Sequence, residues 1–183
     1  MFCEEWTSGD EADHLERVRS APRAALAGLA RGYDWRFYPE TALGWIVAQK
    51  SIDLDTALSA FFNGGPERFN YLHKRDVPPE FQGACRLLDN ICLRINSGFY
   101  LIETQACHAD HTRIRKWIAV QQIDRQEGTS GRWVFDEAIV EALFAAPEAE
   151  VPQEAAMPAP APTRPFRRLF DACKAQLLAS RAH

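Results

Sequence analysis

The chain has 183 residues, which suits one domain of ordinary size. Hydrophobic residues make up 46% of it, including five Trp and eleven Phe, and this composition excludes global disorder. The net charge of -4 and a pI near 5.7 argue against general nucleic-acid binding, which needs a basic surface. The sequence has no apolar run near the roughly 20 residues that span a bilayer, and its acidic start is unlike a signal peptide.

The five cysteines are an odd number without a paired spacing. Such usage is typical of free thiols in a reducing, intracellular compartment. We therefore expect a cytoplasmic protein.

The N-terminal part of the chain predicts short helices that begin at prolines or polar residues. Its apolar residues recur every three or four positions, which is the spacing of one helical face. The first helix covers residues 11–20, the second runs from Pro22 to Gly32, and the third begins at Pro39. The residues expected to face the core are Leu15, Val18, Leu26, Leu29, Leu43, Ile46 and Val47.

Residues 54–63 form a helix with a start and a stop signal in the flanking sequence. Asp53 is a good N-cap because its carboxylate can accept hydrogen bonds from the free amides of the first turn. Gly64 or Gly65 can adopt the left-handed conformation that ends a helix, and Pro66 can open a further short helical turn.

Three further helices are predicted in the second half. The first starts after Pro78-Pro79 and ends near Gly98, while Asp110 and Asp136 are N-caps of the other two, the first of which ends near Gly128. Their inward residues are Phe81, Cys85, Leu88, Cys92 and Ile95, then Ile114, Trp117 and Ile118, then Ile139, Val140, Leu143 and Phe144.

Two segments are candidates for strands. Residues 99–102 fit a short strand or a buried helix, because periodicity cannot separate the two over so short a run. Residues 132–135 fit an extended segment. The fold class is therefore mainly α: a compact multi-helix domain with at most one or two short strands, plus a tethered C-terminal helix.

The composition changes after Ala146. Residues 147–162 hold five prolines and three acids but no bases, which predicts an extended linker. Residues 163–183 carry five bases and one acid and predict a basic amphipathic helix. We thus divide the chain into a helical domain at 1–146, a linker at 147–162 and a tail helix at 163–183.

A tethered amphipathic helix can dock on its own core, bind a groove in a partner, or lie on an anionic membrane. The membrane is least favoured because the tail lacks Trp and spans only about five turns. Nucleic-acid binding through the tail is a further alternative, which predicts steep salt dependence. The candidate partner-binding residues are Phe166, Arg167, Arg168, Leu169, Phe170, Lys174 and Leu177.

An aromatic-rich stretch covers residues 33–45. Such rings either line a binding pocket or pack at helix junctions, and Asp34 and Arg36 alternate with them, so part of the stretch should be exposed. The rings are Tyr33, Trp35, Phe37, Tyr38 and Trp45, of which Trp35 and Tyr38 are candidate partner-binding residues.

Cys107, His108 and His111 are the best candidates for chemistry. Zinc favours Cys and His ligands but needs three or four that converge. The sequence has no second Cys/His pair nearby, so the simpler interpretation is a helix N-terminus capped by Asp110 with two exposed imidazoles.

Asp53 and Asp55 are two acids close in sequence. Residues two apart on a helix do not face each other, so acid–base chemistry or metal binding would need a loop. We expect Asp53 to cap the helix and Asp55 to be a first-turn acid that the helix dipole favours.

A stretch of about 40 residues, from near Leu43 to the region of Pro78, carries a family resemblance. The matching residues are Trp45-Ile46, Asp53, Thr56-Ala57-Leu58, Phe61-Phe62 and Pro66. In these residues the chain resembles a bacterial domain-of-unknown-function family, whose members often have Cys where this chain has Ile52. The resemblance implies a compact, mainly helical intracellular domain and no established reaction, substrate or cofactor.

These features together predict a non-enzymatic intracellular protein-interaction domain, an adaptor or immunity-like protein that binds another protein. We expect no catalytic residues, metal, cofactor or nucleic-acid partner. The alternative is a small metal-dependent enzyme that uses Cys107, His108 and His111.

Overall fold

The computed structural model of the chain describes residue 6, residues 9–102 and residues 108–145. These ranges are mainly helical and contain no strand, so the predicted mainly α multi-helix domain is confirmed, while the predicted tethered C-terminal helix lies outside them. The α-helices are α1 (Glu11–Ser20), α2 (Arg23–Gly32), α3 (Gly44–Ile46), α4 (Leu54–Asn63), α5 (Gln82–Asn96), α6 (His111–Gln126) and α7 (Glu137–Glu141). Shorter turns are the π-helical Pro39–Leu43 and the 3-10 turns Pro66–Arg68, Lys74–Asp76, Pro79–Phe81 and Ala142–Phe144.

The predicted N-caps are confirmed by hydrogen bonds from the first turn. Asp53 accepts from the Thr56 amide at 2.6 Å, and Asp110 accepts from the Arg113 amide at 3.1 Å. Asp136 likewise caps α7 through the amide two residues on, at 3.0 Å. These carboxylates satisfy amides that have no partner within the helix.

The structure refines three predicted segments. The helix expected from Pro39 begins as a π-helical turn, and the one from Pro66 is a single 3-10 turn. The prediction of a strand or buried helix at residues 99–102 is wrong: they form neither, and an isolated bridge joins Leu101 to Asp53. The Leu54 amide donates to the Leu101 carbonyl there, at 2.8 Å, so this segment closes over the start of α4.

Helix α4 lies at the centre of the core. Eight of its ten residues are buried, and it packs against both α2 and α5. Phe61 and Phe62 meet the ring of Trp117 edge-on, at 5.8 and 5.6 Å between centroids. Phe61 also packs edge-on against Trp133, at 5.9 Å. Burying rings of this size stabilises the fold by about 2–3 kcal/mol each, so α4 is the element that joins the N-terminal helices to α6.

The linker, the tail helix, Cys3, Cys107 and Cys173 lie outside the described residues. Cys85 and Cys92 are buried free thiols on the apolar face of α5, as predicted. Within the described ranges, no helix has the length and apolar character needed to cross a membrane.

Candidate binding cleft

A cleft of about 420 Å³ opens beside α6. Its walls come from three separate segments: the turn at residues 66–71, α6 itself, and residues 129–134. Two other depressions, both beside α1, are formed by residues of that helix and its immediate N-terminal flank, so they have no opposing wall. We call the first site the α6 cleft. Its apolar residues are Tyr71, Trp117, Val120, Trp133 and Val134, and its charged residues are Glu67, Arg113, Lys116, Asp124 and Arg125.

The apolar residues of the α6 cleft differ in exposure. Trp117 and Trp133 are only 9% and 2% exposed, so they belong to the core. Tyr71 is 61% exposed, and Val120 and Val134 are close to 40% exposed. The cleft thus presents apolar surface to solvent next to buried indole rings, which is the surface that a bound apolar group would cover.

Asn70 holds two walls of the cleft together. Its side-chain oxygen accepts from the Trp133 amide at 3.1 Å, and its carbonyl accepts from the Arg132 amide at 2.7 Å. Gly131 makes this approach possible, because a Cβ there would lie 2.2 Å from the Asn70 side-chain nitrogen. The two segments are therefore fixed by one buried amide fitted against one glycine.

Gln121 fixes the third wall. Its buried side chain donates to the Phe135 carbonyl and accepts from the Phe135 amide, both at 2.8 Å. The side-chain amide of Gln121 thus makes the two hydrogen bonds that a neighbouring strand would make with the backbone of Phe135. The buried N–H and C=O of Phe135 are therefore both satisfied. This pair orients α6 relative to residues 129–134.

Asp89 supports the cleft from behind. It accepts from Nε and Nη2 of Arg132, at 2.9 and 2.7 Å, and from the Trp133 indole nitrogen at 2.8 Å. Burial alone would raise the pKa of Asp89, but the hydrogen bonds from Arg132 and Trp133 hold that pKa below its ordinary value. The indole at the base of the cleft is therefore held in a fixed orientation.

Charge pairs occupy the edge of the cleft. Arg113 binds Glu67 through two bonds of 2.7 Å, which hold the pKa of Glu67 below its ordinary value although burial alone would raise it. The Tyr71 hydroxyl donates to Asp124 at 2.8 Å, and this bond raises the pKa of Tyr71. Arg125 pairs with Glu137, at 2.6 Å, so these side chains are preorganised.

Lys116 differs from the other cations of the cleft. It forms no ion pair with any residue in the described ranges, and it is exposed. Asp124 accepts a hydrogen bond from the hydroxyl of Tyr71, which carries no positive charge to pair with the carboxylate. The two residues are eight positions apart on α6, about 12 Å along the helix, so the cleft is positive at one end and negative at the other.

The predicted partner-binding residues lie apart from the cleft or outside the described residues. Trp35 packs over Gly64, where a Cβ would come within 2.8 Å of the indole. Tyr38 meets the ring of His14 edge-on at 5.2 Å. Both Trp35 and Tyr38 are half-buried, so a partner contact there stays a prediction. The tail residues Phe166, Arg167, Arg168, Leu169, Phe170, Lys174 and Leu177 are outside the described ranges.

His108 and His111 are placed at the start of α6, and Cys107 lies outside the described residues. The His108 ring nitrogen Nδ1 is 3.6 Å from Asp55, while His111 meets the ring of Phe144 edge-on at 4.6 Å. The described residues contain no group of three or more Cys, His, Asp or Glu side chains arranged to hold a metal ion. The metal-enzyme alternative has no geometric support from these residues and stays a prediction.

Asp55 lies in the first turn of α4 as predicted, but sequence reasoning missed its burial. It is 1% exposed and accepts hydrogen bonds from the backbone amides of His108 and Ala109. A signal existed, because Asp55 is a charged residue inside a short helix that is otherwise largely apolar. Gln121 carried a similar signal, since it lies four residues after Trp117 on the buried face of α6.

The chain matches no protein-family model, no curated protein and no solved structure. The family resemblance of residues 43–78 therefore stays a prediction.

Proposed function

We propose that this protein is a non-enzymatic protein-interaction domain, an adaptor or immunity-like protein that binds another protein through the α6 cleft. The observation that carries the proposal is the exposed apolar surface of Tyr71, Val120 and Val134 beside two buried indoles. Aromatic residues dominate the energetics of protein interfaces, and apolar anchors bind best in pockets that exclude water.

Preorganisation of the cleft supports the same proposal. Its walls are joined by side-chain hydrogen bonds from Asn70 and Gln121, and its edge by the Glu67–Arg113 and Tyr71–Asp124 pairs. A surface that is already ordered loses little conformational entropy when a partner binds. The volume of about 420 Å³ is in the range of small-ligand pockets, so the cleft has room for an anchor side chain of a partner.

A cytoplasmic, bacterial setting belongs to the same proposal and rests on the cysteine usage and the family resemblance. The tail helix at residues 163–183 is proposed as a second partner contact, with its apolar face as the binding surface. The partner is another protein rather than a nucleic acid, because the chain as a whole is acidic.

Site-specific photocrosslinking in cells tests the proposal. A benzophenone amino acid replaces Val134 in the full chain, and a control chain carries it at Leu93, which is 68% exposed on α5 and does not line the cleft. We expect one protein to crosslink to position 134 but not to position 93. The same protein, once purified, should form a complex with the full chain.

The complex must also depend on the cleft. Val120→Asp places a charge among the apolar residues of the cleft and should weaken the complex at least about tenfold, whereas Leu93→Asp should leave it unchanged. Equal crosslinking from both positions, or equal loss of binding in both variants, would contradict the proposal.

A further inference from the structure

Helix α6 is basic on an acidic protein. It carries four basic residues and one acidic residue, on a chain whose net charge is -4. Three of the cations, Arg113, Arg115 and Lys116, lie in its first half, and its first turn contains no acid. Of these three, only Arg113 lies in the first turn, where the helix dipole acts, and Asp110 caps that turn, so the cations are a feature of the surface rather than of helix stability.

Intramolecular contacts compensate only part of this positive charge. Arg113 is neutralised by Glu67, and the Arg115 guanidinium lies 4.5 Å from the centre of the Phe144 ring, a contact that leaves its charge in place. Lys116 forms no ion pair among the described residues, and Glu67, the carboxylate that its charge affects, already binds Arg113. Two cations thus share one carboxylate, and the N-terminal half of α6 presents net positive charge at the edge of an apolar cleft.

From this we infer that the α6 cleft binds a short acidic peptide segment with one apolar anchor. The anchor side chain covers Trp117 between Val120 and Val134, and carboxylates that flank it pair with Lys116. This inference deepens the proposed function and rests on it, since it assigns a chemical class to the partner surface. Opposite charges across an interface raise the association rate and fix the register of the bound segment.

A nucleic acid fits the same cleft poorly. Glu67 and Asp124 place carboxylates along its edge, where they repel the evenly spaced phosphates of a nucleic acid, whereas a peptide can place its carboxylates beside Lys116 and its uncharged residues beside Asp124. The apolar residues between the two charged ends are suited to a side chain, and no continuous basic track follows the cleft. A peptide satisfies both the apolar and the charged groups.

Selection from a phage-displayed library of random 12-residue peptides on the immobilised full chain tests this inference. We expect enriched peptides to combine an aromatic or large aliphatic residue with neighbouring Asp or Glu. Their affinity should fall at least about tenfold in Val120→Asp. It should fall roughly five- to tenfold in Lys116→Glu, since the variant replaces an attractive charge with a repulsive one.

Two variants serve as matched controls. Lys50→Glu makes the same charge change at an exposed lysine that does not line the cleft, and Leu93→Asp makes a similar apolar-to-acidic change on α5. Both should bind the selected peptides like the wild type. A loss that is equal in the controls would overturn the inference, because it would reflect net charge or folding rather than the cleft.

The remaining outcomes separate this inference from the proposed function. Enrichment of basic or uncharged peptides whose binding still depends on Val120 would overturn the inference that the cleft binds an acidic segment. It would not contradict the proposal that the cleft binds a protein. Peptides that bind Val120→Asp normally, or no enrichment at all, would overturn the inference, while the crosslinking experiment tests the proposed function independently. A single-stranded or duplex DNA oligonucleotide that binds with dependence on Lys116 would assign the charge to nucleic acid instead.

Discussion

The carboxylate of Asp55 accepts hydrogen bonds from the backbone amide of His108, 53 residues further along the chain. The amide nitrogen lies 3.1 Å from Oδ1 and 2.9 Å from Oδ2 of Asp55. The next amide, of Ala109, donates to the same carboxylate at 2.9 Å. Asp55 lies in the first turn of α4 and His108 just before α6, so one buried side chain ties together the starts of two helices. This anchor fixes where α6 begins and therefore where the cleft residues on it lie.

Replacing Asp55 should destabilise the protein more than replacing the neighbouring cap. We expect Asp55→Ala to lower the free energy of unfolding by about 2–3 kcal/mol, because it leaves two backbone amides without their charged acceptor. Asp53→Ala removes one N-cap bond and should cost about 1 kcal/mol. Urea unfolding of the full chain, followed by Trp fluorescence, measures both. Equal costs for the two variants would contradict the role assigned to Asp55.

The fit of Gly131 against Asn70 makes a second prediction. Gly131→Ala should lower the free energy of unfolding by about 1–3 kcal/mol, since its Cβ would overlap the Asn70 side-chain nitrogen. Gly28→Ala is the control, because Gly28 is exposed on α2 and an added Cβ there would have no neighbouring side chain within 4 Å. It should stabilise the protein by about 0.5–1 kcal/mol.

A double variant identifies the source of the Gly131 effect. In an Asn70→Ala background the added methyl group no longer meets the side-chain amide, so Gly131→Ala should cost less there than in the wild type. Thermal or urea unfolding of the four proteins gives the coupling. Strict additivity would mean that the amide and the glycine are independent.

Asp89 gives a prediction for the dependence of stability on pH. Its pKa lies below the ordinary 3.8, so its contribution is fully present above that value and is lost as the pH falls through the lowered one. Asp89→Asn should cost about 2 kcal/mol near neutral pH, because it leaves the largely buried Arg132 without a carboxylate. The difference from the wild type should shrink as the pH falls below the ordinary pKa.

A surface pair provides the control for Asp89. The Asp34–Arg36 pair also lowers the pKa of its acid, but Arg36 is 80% exposed in its side chain. Asp34→Asn should therefore cost less than about 0.5 kcal/mol at neutral pH. Urea unfolding of the three proteins at several pH values measures their free energies of unfolding. If the difference between wild type and Asp89→Asn stayed constant as the pH fell below 3.8, the stabilising role of the Asp89 carboxylate would be contradicted.

The sequence predicted elements whose signals are local. Asp53, Asp110 and Asp136 cap helices through amides two or three residues away, so the spacing of polar and apolar residues was enough to find them. The π-helical turn at Pro39–Leu43 was not predicted, because such turns are rare and occur mostly as single turns that interrupt α-helices.

The cleft was not predictable in the same way. It depends on Asn70 meeting the Trp133 amide 63 residues away, and on Gln121 meeting Phe135. Side-chain amides that replace a strand partner follow no helical or strand period. Asp55 and Gln121 were marked in the sequence only as polar residues on otherwise apolar helical faces.

The buried thiols of α5 should be chemically inert in the folded protein. Burial raises the pKa of Cys92 to about 12 and also raises that of Cys85, so neither forms the reactive thiolate at neutral pH. We expect iodoacetamide at pH 8 to leave both unlabelled in the native chain and to label both in guanidinium, as mapped by mass spectrometry. Leu93→Cys, at an exposed position of the same helix, should be labelled in both conditions.

The proposed partner contact of the predicted tail helix can be tested in the full chain. If its apolar face contacts the partner, Phe166→Asp with Phe170→Asp should weaken the complex found by crosslinking at least about tenfold, because two interface anchors become charged. The control is Ala159→Asp with Ala161→Asp, which adds the same charge to the linker. Isothermal titration with the purified partner measures the affinities. Wild-type affinity in both double variants would assign the contact to the helical core alone, and equal losses in both would assign it to the net charge of the C-terminal region.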